Sequence, residues 1–230
     1  MSPTPDRCSP ILSYVTHRRS LPLATSSDAM GLLLDTIEAV AAAGTDWIQL
    51  REKDLSGREC FELTRQALQR IQIRGSATRL LVNDRLDVAL PAGAGGVHLS
   101  ENSLTVQDAR RLRDEFFARR CVPPDFLIGV SCHSLGSALG AARGGADYIY
   151  FSPIFSTPSK EIYGPPQGVE RLAKICRAVD IPVLAIGGVN AQNAAQCFAA
   201  GAAGIAAIRL FQDSSNLPSV VERLHAPLAR

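Results

Sequence analysis

Eight short apolar runs, each followed by a polar turn and a helix-like segment, constrain the fold of this chain more than any other feature. The runs are residues 12–15, 47–50, 80–82, 96–99, 126–130, 148–151, 183–186 and 204–208. Because apolar and polar residues do not alternate within them, they predict parallel strands that are covered on both faces. Eight strand–helix units in about 200 residues predict a single (β/α)8 TIM barrel of the α/β class with parallel strands.

The 230 residues contain no linker that would divide the chain into separate folding units. We expect a flexible N-terminal segment at residues 1–10 and a barrel at residues 11–216. Residues 217–230 are expected to form a C-terminal helix or tail of the same domain. The sequence leaves open whether the chain forms a homo-oligomer.

Composition excludes several classes of function. The chain has 24 Lys and Arg against 22 Asp and Glu, a net charge of +2, whereas a nucleic-acid-binding protein would carry a basic excess on one face. No stretch approaches the roughly 18 apolar residues of a membrane span, and no secretory signal opens the chain, so we expect a cytoplasmic location. The six cysteines are scattered singly, which is typical of reduced thiols.

Polar residues and glycines follow the predicted strands at the ends where barrels of this class gather their functional groups. Since the carboxyl ends of all eight strands meet at one mouth, these residues predict one site. In chain order they are Gln49, Arg51, Lys53, Asn83, Asp84, Glu101, Ser131, His133, Thr157, Ser159, Lys160, Gly187, Gly188 and Arg209.

Cationic side chains indicate that this mouth binds anions. They are Arg51, Lys53, Lys160 and Arg209. Gly187 and Gly188 follow the seventh strand, where such barrels often hold a phosphate on backbone N–H groups. Together with the backbone around Ile208, the glycine pair predicts a phosphate site, although a pair of glycines is also typical of a tight turn.

Asp84, beside Asn83, is the candidate ligand for a metal ion. A hard cation such as Mg²⁺ takes one or two protein carboxylates together with substrate phosphate oxygens. The alternative is that Asp84 caps the helix expected to begin at Arg85, since Asp is also a preferred capping residue.

Two histidines lie on or directly after predicted strands. His133 should face the mouth, where a neutral imidazole can move a proton near pH 7, but a lone histidine is also commonly a structural hydrogen-bonding residue. His98 lies inside the fourth strand and is expected to be a packed or lining residue.

Six short motifs follow one another along nearly the whole chain, from about Tyr14 to Arg209. They are Gln-Leu-Arg-Glu-Lys at 49–53, Asn-Asp-Arg at 83–85, Gly-Val-His-Leu at 96–99, Gly-Val-Ser-Cys-His at 129–133, Thr-Pro-Ser-Lys at 157–160 and Ala-Ile-Gly-Gly-Val at 185–189. In this order the motifs resemble those of the thiamine phosphate synthase/TenI superfamily.

The resemblance implies an enzyme of thiamine biosynthesis, a thiamine-phosphate diphosphorylase. Such an enzyme joins a hydroxymethylpyrimidine pyrophosphate to a thiazole phosphate and releases pyrophosphate. Its small phosphorylated substrates would be the partners of this chain, with Mg²⁺ as a cofactor held by Asp84. Ser131 and Lys160 would assist the departing pyrophosphate. The residues expected to bind the pyrimidine or its pyrophosphate are Gln49, Arg51, Lys53 and Asn83. Those expected to bind the thiazole phosphate are Thr157, Ser159, Gly187, Gly188, Ile208 and Arg209.

Two departures from the family pattern keep alternatives open. Synthases usually have a second Mg²⁺-binding Asp where this chain has Ser103, and Glu101 is the candidate substitute. The family usually has a Ser where Arg209 stands. His133 matches the catalytic histidine of TenI tautomerases, which isomerise a thiazole carboxylate phosphate and use no metal. The alternatives are therefore a tautomerase, or a non-catalytic barrel that binds a thiazole or thiamine phosphate for regulation.

Overall fold

Eight parallel strands close into a barrel in the computed structural model, which describes residues 9–21, 29–120, 125–157 and 165–226. Each strand is hydrogen-bonded to the next one along the chain, and the last strand pairs with the first. In chain order the strands are β1 (Ile11–Val15), β2 (Trp47–Leu50), β3 (Arg79–Asn83), β4 (Gly96–Leu99), β5 (Leu127–Cys132), β6 (Tyr148–Phe151), β7 (Val183–Ile186) and β8 (Gly204–Ala207).

Helices alternate with the strands and cover the outside of the barrel. They are α1 (Ala29–Ala42), α2 (Gly57–Ile73), α3 (Leu86–Ala92), α4 (Val106–Ala118), α5 (Leu135–Gly144), α6 (Gly168–Ala178), α7 (Ala194–Ala199), α8 (Arg209–Gln212) and α9 (Leu217–His225), with a 3₁₀ turn at Arg18–Ser20. None of the helices within the described ranges is long and apolar enough to cross a membrane.

Local sequence explains the start and the packing of α2. The Ser56 hydroxyl accepts a hydrogen bond from the Glu59 N–H, and the Glu59 carboxylate accepts one from the Ser56 N–H. This capping box satisfies two backbone donors at the start of the helix. One face of α2 is buried at helical spacing, through Cys60, Leu63, Thr64, Ala67 and Ile71.

The predicted (β/α)8 barrel is confirmed, because each of the eight apolar runs forms one strand. The fifth strand extends two residues further than expected. Ser131 and Cys132 continue the backbone pairing with Tyr150 and Phe151 of β6. Ser131 therefore lies within a strand instead of the loop that follows it, and its position is fixed by the barrel.

The two ends of the chain are described in part. Residues 1–8 of the expected N-terminal segment and residues 227–230 of the expected C-terminal tail lie outside the described residues. The C-terminal helix α9 is anchored at the amino-terminal end of the strands. There the Asp46 carboxylate accepts a hydrogen bond from the Leu12 N–H and lies 2.8 Å from His225 Nε2.

Inward-facing side chains fill the barrel in levels, each made by alternate strands. By register, the level beneath the mouth consists of Gln49, His98, Tyr150 and Ala206. The rings of His98 and Tyr150 lie with their centroids 4.1 Å apart. One level lower, Gly129 makes room for a large neighbour, because a Cβ at residue 129 would lie 2.0 Å from the Tyr148 ring. The barrel therefore accommodates this ring only where residue 129 lacks a side chain.

Gly129→Ala should destabilise the barrel by about 1–3 kcal/mol, because the added methyl group overpacks a closed interior. Urea unfolding followed by circular dichroism measures this change. Gly140→Ala in α5 is the matched control, since nothing lies within 4 Å of a Cβ added there. Alanine favours a helix over glycine by about 1 kcal/mol, so this variant should be as stable as the parent or more stable. Equal destabilisation by both substitutions would contradict the packing argument.

Candidate active site

The predicted site residues of the described chain surround the mouth formed by the carboxyl ends of the strands. Gln49, Asn83 and Ser131 lie at the ends of β2, β3 and β5, facing the interior. Arg51, Lys53, Asp84, Glu101, His133, Thr157, Gly187, Gly188, Ile208 and Arg209 belong to the segments that follow the strands. Ser159 and Lys160 lie outside the described residues.

A chain of hydrogen bonds joins the ends of β2, β3 and β4. The buried Gln49 donates through Nε2 to Asn83 Oδ1 at 2.8 Å, and Asn83 Nδ2 donates to Asp84 Oδ2 at 2.9 Å. The Ser100 N–H donates to Asp84 Oδ1 at 2.6 Å. These contacts fix the orientation of both amides and hold the carboxylate of Asp84 in place.

Asp84 adopts a left-handed backbone conformation, with φ at 57°, and it is the one non-glycine residue of the described chain with positive φ. Asp tolerates this region better than most residues, and such conformations concentrate at functional sites. The alternative interpretation of Asp84 as a helix cap is wrong. Helix α3 begins at Leu86 with Arg85 at the N-cap position and no side-chain cap, because the Asp84 carboxylate is directed at Ser100 instead.

Among the predicted cations of the mouth that the structure describes, Arg51 is the most buried, since Lys53 and Arg209 are exposed. Burial lowers the pKa of its guanidinium, and the negative charges of Glu52 and Asp84 act in the opposite direction. Among the described residues, no hydrogen-bond or ion-pair partner engages this guanidinium. The group is therefore partly desolvated and available to an anion, and the electrostatic attraction is stronger there than in water.

Two adjoining cavities open beside Arg51, with volumes of about 260 Å³ and 250 Å³. Lys53 and Glu52 line both of them, so Lys53 stands between the two. The first also contacts Arg51, and the second contacts Asn83 and Asp84. Together they place the predicted cations Arg51 and Lys53 and the predicted metal ligand Asp84 at the edge of a space large enough for a phosphorylated small molecule.

The sequence did not reveal the structural role of Glu52. Its carboxylate is buried and accepts hydrogen bonds from Thr16 Oγ1 at 2.7 Å, from the Arg18 N–H at 3.0 Å and from Arg18 Nη1 at 2.9 Å. Arg18 also pairs with Asp54 and holds the pKa of that carboxyl far below its usual range. Glu52 thus joins the segment after β1 to the loop that carries Arg51. The only sequence signal for this role was the position of Glu52 between Arg51 and Lys53, two residues expected to bind the substrate.

Ser131 is held from below by His98. The Ser131 hydroxyl lies 2.9 Å from His98 Nε2, and Nδ1 of the same ring lies 3.0 Å from the Tyr148 hydroxyl. Burial lowers the pKa of His98 to about 3, so the ring is neutral at physiological pH. His98 is buried in the barrel interior as expected, but it also contacts a predicted catalytic residue, which the sequence did not indicate.

His133 is oriented by the segment that follows β6. Its Nδ1 lies 2.9 Å from the backbone carbonyl oxygen of Ser152, and its own carbonyl accepts a hydrogen bond from Gln167 Nε2 at 2.8 Å. The Ser152 hydroxyl lies 3.2 Å from the same nitrogen and can accept as well as donate, but the closer carbonyl oxygen can only accept, so Nδ1 carries the hydrogen. In the neutral ring the lone pair is therefore on Nε2, which can take up a proton.

The glycine pair after β7 is required by packing. Gly187 and Gly188 have φ values of 96° and 67°, a region that disfavours side chains. A Cβ on Gly187 would lie 2.7 Å from the Cα of Pro153, and one on Gly188 would lie 2.6 Å from the Ser156 carbonyl oxygen. The close approach of the segment after β6 therefore accounts for both glycines, and their contact with a phosphate stays a prediction.

The other residues expected at the phosphate site lie around the same side of the mouth. Ile208 is half-buried after β8, and Arg209 is the exposed first residue of the short helix α8. Thr157 is half-buried at the end of the described segment after β6.

The carboxylate of Asp84 fits a cation that is shared with a substrate. Within the described ranges, no three His, Cys, Asp or Glu side chains form a group that could hold a metal ion alone. Glu101 is exposed, and Ser103 lies in the same turn after β4. Mg²⁺ is commonly bound through one or two carboxylates with substrate phosphate oxygens and water, and the Asp84 carboxylate, which lines the second cavity, offers one such ligand.

Comparison with known proteins identifies the relatives of this barrel. The family model described as thiamine monophosphate synthase matches residues 21–211. The chain belongs to this family. It is 46% identical over 176 residues to a putative thiamine-phosphate synthase of Geobacter sulfurreducens, covering 76% of this chain and 78% of that protein. It is 43% identical over 195 residues to a thiamine-phosphate synthase of Methanoculleus marisnigri, covering 85% and 87%.

A solved structure of the same family superposes over nearly the full length. Thiamine phosphate pyrophosphorylase from Pyrococcus furiosus matches with a TM-score of 0.75 and 30% identity, and the match covers 95% of each chain. The family resemblance drawn from the six motifs is thereby confirmed.

Glu52→Gln should lower the free energy of unfolding by about 1–3 kcal/mol, because it removes the charge from a buried, hydrogen-bonded partner of Arg18. Asp54→Asn removes a carboxylate from the same arginine at a position whose side chain is 37% exposed, against 2% for Glu52. An exposed pair contributes about 0–1 kcal/mol, so this control should be nearly neutral. Urea unfolding of both variants tests the difference, and a larger cost for Asp54→Asn would refute the assigned role of Glu52.

Proposed function

We propose that this protein couples hydroxymethylpyrimidine pyrophosphate to a thiazole phosphate and gives thiamine phosphate and pyrophosphate. The observation that carries the proposal is the hydrogen-bonded set of Gln49, Asn83 and Asp84 beside the guanidinium of Arg51, which no other described residue engages. A pyrophosphate leaving group needs cationic stabilisation, and relatives that share most of the chain are named thiamine-phosphate synthases.

In this proposal the pyrimidine pyrophosphate occupies the side of the mouth formed by β2 and β3. Arg51 and Lys53 bind the pyrophosphate oxygens, and the partial burial of Arg51 strengthens its attraction. Gln49 and Asn83 present amides of fixed orientation to the pyrimidine, because each is already held by the other. Fixed donors lose little freedom when the substrate binds.

Asp84 is the residue that would hold Mg²⁺ against the pyrophosphate. Mg²⁺ bound there would supply charge stabilisation for the departing pyrophosphate. Ser131, directed from β5, and Lys160 are proposed to donate hydrogen bonds to the same leaving group. Glu101, in the turn after β4, could contribute a second carboxylate to the same cation.

The thiazole phosphate is proposed to bind on the opposite side of the mouth. Gly187, Gly188 and the backbone at Ile208 would offer N–H groups, as phosphate sites after strands seven and eight of such barrels do. Side chains proposed to complete this site are Thr157, Ser159 and Arg209. The cytoplasmic location expected from the sequence stays a prediction.

Asp84→Asn should reduce Mg²⁺-dependent coupling by at least about 100-fold, since the amide keeps the size and the tolerance for positive φ but carries no charge for the cation. Coupling of the two substrates is measured over a range of Mg²⁺ concentrations. Asp87→Asn is the control, because that carboxylate is exposed on α3 and pairs with Arg85. Full activity in Asp84→Asn would rule out the metal role.

A second candidate function is supported by one observation at His133. The Ser152 carbonyl leaves its Nε2 unprotonated, which is the state that a base needs to move a proton during thiazole tautomerisation. This reaction requires no leaving group and gives no role to Arg51 and Asp84, so coupling is the first proposal.

His133→Asn separates the two candidates. The amide can still donate to the Ser152 carbonyl but cannot take up a proton near neutral pH. Any tautomerase activity should fall by about 10²–10⁴-fold, the usual contribution of general acid–base groups, while coupling should fall by less than about tenfold. Both activities are measured on the same preparations, and an equal loss of both would show that His133 serves coupling as well.

A further inference from the structure

The two ring nitrogens of the buried His98 imidazole each contact a hydroxyl group, one from Ser131 and one from Tyr148. His98 lies 2.9 Å from Ser131 Oγ through Nε2 and 3.0 Å from the Tyr148 hydroxyl through Nδ1. The ring is 1% exposed, and no carboxylate is hydrogen-bonded to either nitrogen in the described part of the chain. A buried imidazole without an anionic partner is neutral, so it has one N–H donor and one lone pair for two hydroxyl neighbours.

The two hydroxyls differ as donors. Burial raises the pKa of the Tyr148 phenol well above its ordinary value. Burial penalises the anion of a serine hydroxyl as well, so the phenol remains the more acidic of the two groups and donates the stronger hydrogen bond to a nitrogen lone pair. The neighbouring Tyr150 hydroxyl, which is also bonded to Ser13, can donate to the Tyr148 oxygen and leaves the Tyr148 hydrogen for His98. The lone pair of His98 therefore accepts from Tyr148 at Nδ1. The remaining ring hydrogen is on Nε2 and is donated to Ser131 Oγ.

We infer that Tyr148 fixes the tautomer of His98, and that this tautomer makes the Ser131 hydroxyl a hydrogen-bond donor directed into the mouth. Because Ser131 Oγ already accepts from His98, its own hydrogen is free to bind an acceptor oxygen above it. In the opposite tautomer, the unprotonated Nε2 of His98 would accept the Ser131 hydrogen. Towards a ligand in the mouth, Ser131 Oγ could then only accept a hydrogen bond. Tyr148 and His98 are thus positioning residues for the proposed reaction, and the kinetic part of this inference rests on the proposed function.

The tautomer itself can be observed in the resting protein. The chain has four histidines, so ¹⁵N labelling of histidine gives a small set of imidazole signals in which protonated and unprotonated nitrogens have well-separated shifts. We expect Nε2–H in His98 and Nδ1–H in His133, which makes the two rings references for each other. In Tyr148→Phe, His98 should shift toward a mixture of both tautomers. Finding Nδ1–H at His98 in the parent protein overturns the inference, whatever the kinetics show.

Coupling kinetics test the consequence for Ser131. Tyr148→Phe should lower kcat about five- to tenfold, the equivalent of one hydrogen bond of roughly 1 kcal/mol. The KM for the pyrimidine pyrophosphate should stay within about twofold, because the interaction serves the departing group. In a Ser131→Ala background the same substitution should change kcat by less than about twofold, since Tyr148 acts through Ser131. An undiminished effect in that background overturns the inference.

Tyr14→Phe is the matched control. Tyr14 is a buried tyrosine of β1, its hydroxyl accepts a hydrogen bond from Gln212 Nε2 at 2.9 Å, and its ring packs against Phe211 instead of His98. Removing this hydroxyl should cost similar stability but leave kcat and the His98 tautomer unchanged. A kcat loss equal to that of Tyr148→Phe would show a general packing effect and overturn the inference. If no preparation couples the substrates, the proposed function fails, while the ¹⁵N signals still decide the tautomer.

Discussion

Closure of the eight-stranded sheet is the constraint on which the rest of this structure depends. It pairs the last strand with the first, fixes the register of every strand and leaves a narrow interior. Because that interior has little space, large rings such as Tyr148 are accommodated where a neighbouring strand contributes glycine. Closure also brings all the carboxyl ends to one mouth, so residues distant in the chain become neighbours there.

The mouth obtains its chemistry from contacts that hold side chains in one orientation. Gln49, Asn83 and Asp84 form a continuous hydrogen-bonded set, and Glu52 holds the loop of Arg51 against the segment after β1. These contacts satisfy polar groups whose burial without a hydrogen-bond partner would be unfavourable. In the described part of the chain, Arg51 has no such partner for its guanidinium. Burial lowers the pKa of this group and a cavity lies beside it, which suits the binding of a phosphorylated substrate.

The two histidines near the mouth show how the partner of one ring nitrogen decides the chemistry of the other. A backbone carbonyl at Nδ1 leaves His133 with a basic Nε2. A phenol at Nδ1 gives His98 the opposite tautomer and makes Nε2 a donor. Identical side chains are therefore suited to different tasks, because one neighbour can only accept a hydrogen bond while the other donates it.

Local pattern determined the fold and the family. The eight apolar runs specify strands, the motifs after them specify which end carries function, and each is readable within about ten residues of sequence. The position of Ser131 inside β5, the left-handed Asp84 and the buried role of Glu52 were decided only by the tertiary structure. The pairs Glu52–Thr16 and His98–Ser131 are separated by 36 and 33 residues and meet because the barrel closes. Sequence periodicity carries no information on such contacts, since it reports which face is buried and not which polar atoms meet there.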